Sequence, residues 1–139
     1  VLEVKQQVDK ELFEYASAKA ASVRKLKRTS AVIPHAGGVY RPRELFPILA
    51  GIVCLGSGWK LDGAAIKKAV AASKPNERLD IGCALEAGAF EARYGTEIAL
   101  DVSSPESALI FFYTRLLQRL QALGTVPAID LGRYTALIK

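Results

Sequence analysis

The segment from Ser103-Ser104-Pro105-Glu106 to Gly124 constrains this sequence most. Ser103 and Glu106 have capping-box spacing, and Pro105 sits where the first turn of a helix tolerates it. The residues that follow place Leu109, Phe112, Tyr113, Leu116, Leu120 and Leu123 on one broad face, widened by Ile110, Phe111 and Leu117. Arg115, Gln118, Arg119 and Gln121 mark the wet side, and Gly124 falls at C′. A helix with so wide an apolar face needs cover on several sides, so it is expected to be the central helix of the fold.

The rest of the chain reads as helices around it. From Leu2 to Arg28 apolar residues recur at threes and fours with no Gly or Pro, and acids precede bases as a helix dipole prefers. A loop carrying Pro34, Gly37, Gly38 and Pro42 follows, then a second helix from about Pro42–Glu44 to Leu55. A short Ala-rich helix opens at Asp62 or Gly63 and stops before Pro75. Asn76 is a good N-cap for a fourth helix through about Tyr94, whose Ala84, Gly88 and Ala92 form a small-residue ridge extended by Gly95 and Ala99. The 139 residues suit a single domain (1–139). The expected fold is all-α, an antiparallel helical bundle of four main helices plus one or two short ones.

Several chemistries lack their residues. His35 is the lone histidine, in a Pro-His-Ala-Gly-Gly loop, so no Ser/His/Asp or Cys/His set is in view, and the acids are scattered. Cys54 and Cys83 stand in apolar surroundings without CxxC spacing and read as buried thiols, with one disulfide as the alternative. Gly56, Gly58 and Gly63 match neither phosphate-loop pattern, and no HExxH or EF-hand loop is present. No catalytic residue, metal site or cofactor is expected. The longest uncharged run, Leu45 to Trp59, has 15 residues, too short to span a bilayer. The start at Val1 and the absence of methionine suggest a processed form or a cloned fragment.

Charge therefore carries the functional expectation. Lys and Arg outnumber Asp and Glu by 19 to 14, for a net charge of +5, which favours an acidic partner. The excess gathers at Arg24, Lys25, Lys27 and Arg28 and continues at Arg41 and Arg43, with Tyr40 and Trp59 as candidate aromatic anchors. Residues 104–124 (SPESALIFFYTRLLQRLQALG) resemble the last helix of PsbQ-type extrinsic subunits of photosystem II; the resemblance implies a basic, processed, lumenal four-helix bundle. The leading expectation is a non-catalytic accessory subunit docking on an acidic protein surface of a larger, possibly membrane-bound, assembly, without spanning the membrane. The alternatives are a small nucleic-acid-binding protein using the 24–28 cluster, and a ligand or pigment carrier or enzyme using the small-residue face 82–99.

Overall fold

A computed structural model describes residues 1–28, 33–40 and 45–123. Strand β1 (Leu2–Val8) leads into helix α1 (Lys10–Arg24), and a small hairpin, β2 (Ile33–His35) with β3 (Gly38–Tyr40), precedes β4 (Gly51–Ser57). Helix α2 (Ala64–Ala72) and a 3₁₀ turn at Pro75–Glu77 connect β4 to β5 (Ile81–Ala84). Strands β6 (Gly88–Tyr94) and β7 (Ile98–Val102), a 3₁₀ turn at Pro105–Ser107 and helix α3 (Ala108–Leu123) complete the order. Five strands form one mixed sheet in the order β1-β4-β5-β6-β7. β1, β4 and β5 are parallel, β6 and β7 antiparallel, so α1 and α2 lie on the crossovers of βαβ units.

Alternation along the strands builds two cores. Ile52, Cys54, Ala84, Phe90 and Ala92 meet Phe13, Ala16 and Ala20 of α1 and Ile66 and Val70 of α2. On the opposite face Ile81, Cys83, Ala89 and the half-buried Val53 meet Ala108, Phe111 and Phe112 of α3. The sheet is thus a middle layer between helices, and the all-α four-helix bundle is overturned, together with the bundle implied by the resemblance of residues 104–124.

Each misreading has a physical cause. Residues 2–28 are a strand and a helix: Asp9 divides them by capping α1, its carboxylate accepting from the Leu12 amide at 2.9 Å. The apolar run read as a helix through Leu55 contains β4, and a strand covered on both faces reads as unbroken apolar sequence without alternation. The small-residue ridge belongs to β5 and β6. Gly82 lies opposite Phe90 across their pairing, and a Cβ there would enter the Phe90 ring, so glycine lets the ring cover the sheet. Gly88 has φ +123°, where a Cβ would also press on the Ser103 carbonyl.

The short helix after Gly63 and the long helix after Pro105 are present. The latter is an outer-layer element, with Leu109 (64% exposed) and Tyr113 (55%) turned from the sheet. Ser103 caps no helix: its hydroxyl accepts from the Ala89 amide at 3.0 Å and donates to the Ser104 carbonyl. Cys54 and Cys83 are free and buried on opposite faces, and burial pushes the Cys54 thiol up to about 11. Among the described residues no helix is long and apolar enough to cross a membrane.

Candidate functional site

β1 is an edge strand of the main sheet, and its residues alternate between the two faces. Glu3 pairs with Ile52 and Lys5 with Cys54, so both side chains project toward the α1 face of the sheet, about 7 Å apart along the strand. Both are half-buried. Neither takes part in a hydrogen bond or ion pair among the described residues; the contact recorded for Lys5 is with the Tyr15 ring of α1, its Nζ 4.2 Å from the centroid. A carboxylate and an ammonium, uncommitted and side by side on a rigid strand, form a pair suited to a reacting phosphodiester. The carboxylate can help to hold a divalent cation, and the ammonium can offset charge on phosphate oxygens.

A second feature is a cleft of about 910 Å³ between the end of α1, the turn before β5, and α3. Among the described residues six arginines line it (Arg24, Arg28, Arg78, Arg93, Arg115 and Arg119) against the carboxylates of Asp80 and Glu91. Glu91 is buried, with Arg119 Nε at 2.7 Å, Arg115 at 3.5 Å and Arg93 at 3.7 Å. Arg93 also bonds Asp101, which holds its guanidinium pKa above the usual value. Arg78 stacks over the Tyr94 ring at 4.5 Å and has no carboxylate partner among the described residues. The Tyr94 hydroxyl donates to the Leu79 carbonyl, and burial drives its pKa upward. Among the described residues guanidinium groups outnumber carboxylates in the lining of this cleft, and the surplus of positive charge suits phosphate groups.

The expected basic face is divided by the fold. Arg24 is committed to structure: its guanidinium donates to the carbonyls of Ile48, Asn76 and Arg78 and to the Asp80 carboxylate, tying the end of α1 to the approaches of β4 and β5. Arg28 donates to the Phe46 carbonyl at 3.0 Å, while Lys25 and Lys27 are exposed. Trp59 is half-buried against Phe13, ring centroids 5.9 Å apart, and serves the rim of the core. Tyr40 lies in β3, and Arg41 and Arg43 lie outside the described residues. The structure thus brings Arg24 and Arg28 to the cleft and leaves Lys25, Lys27 and Trp59 apart from it.

No family model matches the chain. A curated relative from Pseudomonas aeruginosa, endodeoxyribonuclease NucC, is 42% identical over 137 residues, covering 96% of this chain and 56% of its own length. This chain is similar to NucC. The Escherichia coli (strain MS 115-1) NucC is 39% identical over 140 residues, again with 56% of its length covered. Among solved structures, P. aeruginosa NucC in its cAAA-bound form superposes with a TM-score of 0.80 at 40% identity, over 99% of this chain and 57% of that one. The apo form of the E. coli NucC gives a TM-score of 0.76 at 38% identity, over 99% of this chain and 61% of that one. The chain spans little more than half the length of the NucC proteins it matches. These relatives are DNA-acting enzymes, which overturns the expectation of a non-catalytic accessory subunit. Neither they nor the fold support a protein partner with an acidic surface.

The sequence reading missed Glu3 and Lys5 because it placed them in a helix. Two residues apart on a helix they would diverge by about 200°; on a strand they share a face. The available signal was Asp9 as an N-cap, with Leu2, Val4 and Val8 in even register before it.

Proposed function

We propose that this chain contributes the catalytic strand of an endodeoxyribonuclease, with Glu3 and Lys5 meeting the scissile phosphodiester. The observation that carries this reading is the uncommitted Glu3–Lys5 pair on one face of β1. The similarity to NucC across 96% of the chain supports it. Among the described residues no group of three His, Cys, Asp or Glu gathers to hold a metal ion. One carboxylate suits a divalent cation that keeps much of its water and binds substrate phosphate, and Glu3 is the residue of this chain that would hold it. Such a cation, when bound, polarises the phosphoryl oxygens and acidifies water. Lys5 stabilises the negative charge that grows on those oxygens as water adds to phosphorus and the sugar oxygen departs. Glu3→Gln keeps the size of the side chain and removes its charge, so it is expected to abolish cleavage of duplex DNA while the circular dichroism spectrum stays unchanged. Cleavage at the wild-type rate would refute the assignment.

The arginine cleft supports a second part of the reading. One NucC structure is a cAAA-bound form, and the cleft's volume lies near the upper end of the roughly 300–1,000 Å³ of ligand pockets. We assign the phosphates of cAAA to this cleft, which Arg24 and Arg28 line. Arg78, with no competing carboxylate among the described residues, is the best single donor. Arg78→Ala is expected to weaken cAAA binding about tenfold or more by titration calorimetry, the loss of a charge-assisted hydrogen bond. Unchanged affinity would place the ligand elsewhere.

A further inference from the structure

Lys5 has a flexible four-carbon stem and, among the described residues, no carboxylate to fix its end. Its ammonium stands 4.2 Å from the centroid of the Tyr15 ring, and Lys19, one turn further along α1, places its own ammonium 5.2 Å from the same centroid. A phenol ring presents a negative π face to such cations. The ring sits on α1, which Asp9 caps directly after β1, so the strand bearing Lys5 and the helix bearing Tyr15 are joined through a single fixed residue. Tyr15 is 43% exposed and absent from both hydrophobic cores, so packing does not account for its placement.

We infer that Tyr15 is a positioning residue for Lys5: its ring fixes the Lys5 ammonium on the face of β1 that also carries Glu3, before DNA arrives. The inference rests on the reading of Lys5 as a catalytic group. Lys19 shares the ring, adding a second positive charge next to the path of a phosphodiester backbone without replacing Lys5, which alone stands on the strand with Glu3.

The test uses the natural protein that carries this sequence, assayed for duplex DNA cleavage under saturating and limiting substrate. Tyr15→Leu is expected to lower kcat about three- to fivefold, the value of an exposed cation–π contact, with KM for DNA and the melting temperature unchanged. Tyr15→Phe keeps the ring and is expected to retain wild-type kcat. In a Lys5→Ala background, Tyr15→Leu should cause no further loss, because nothing remains for the ring to hold. Wild-type kcat in Tyr15→Leu, alongside an inactive Lys5→Ala, would overturn the positioning role while leaving Lys5 catalytic. A loss in Tyr15→Phe equal to that in Tyr15→Leu would overturn it too, by moving the effect to the hydroxyl. Full activity in Lys5→Ala would instead remove the catalytic reading on which the inference stands.

Discussion

Replacing Lys5 by alanine in the natural protein is expected to slow DNA cleavage by roughly 10²–10³-fold, the cost of deleting one preorganised group that stabilises transition-state charge. The fold should tolerate the change. The Lys5 side chain is half-buried on an edge strand and makes no hydrogen bond or ion pair among the described residues, so its removal exposes no unpaired partner. The rate of conversion of supercoiled plasmid to cut forms measures the effect, and a melting curve within about 1 °C of wild type shows that structure is intact. Lys5→Arg should recover little, since a broad planar fork replaces a compact point charge. A rate within twofold of wild type for Lys5→Ala would show that the ammonium takes no part in the chemistry.

Glu91→Ala is expected to have the largest effect on stability, about 3 kcal/mol, at the lower end of what breaking a buried ion pair costs. The Glu91 side chain is 6% exposed and faces Arg119, Arg115 and Arg93 from the middle of β6. Without it Arg119 loses its carboxylate, whereas Arg93 and Arg115 keep Asp101; this remaining pairing places the cost at the low end. The same three arginines join α3 and β6 at the cleft, so cAAA binding should weaken as well. Urea unfolding monitored by circular dichroism measures the first effect. A loss below about 1 kcal/mol would mean that the arginines turn to solvent and that Phe111 and Phe112 hold α3 to the sheet by themselves.

The sequence showed the helices with clear punctuation and concealed the sheet. Gly63 and Pro75 bracket α2, and Pro105 opens the approach to α3, because proline and glycine act through local backbone geometry that needs no knowledge of the fold. β4 and β5 were concealed because strands covered on both faces lose the alternation that marks a half-buried strand. Small residues in β5 and β6 imitated a helix-packing ridge, although Gly82 is small because the Phe90 ring lies across it. The basic charge at the end of α1 was legible, but its use was not. Whether Arg24 faces a partner or clamps three carbonyls and Asp80 depends on residues 24 to 56 positions away. The Glu3–Lys5 pair became visible only once β1 separated from α1.

The most direct test of this account compares wild-type protein with Glu3→Gln on one labelled DNA duplex, scoring cleavage and binding together in the presence of a divalent cation and cAAA. Wild type is expected to cut the duplex, and Glu3→Gln to bind it with affinity within a few fold while cutting at least roughly 10²-fold more slowly. Equal cleavage by the two proteins, or no cleavage by wild type, would contradict the assignment of β1 as the catalytic strand.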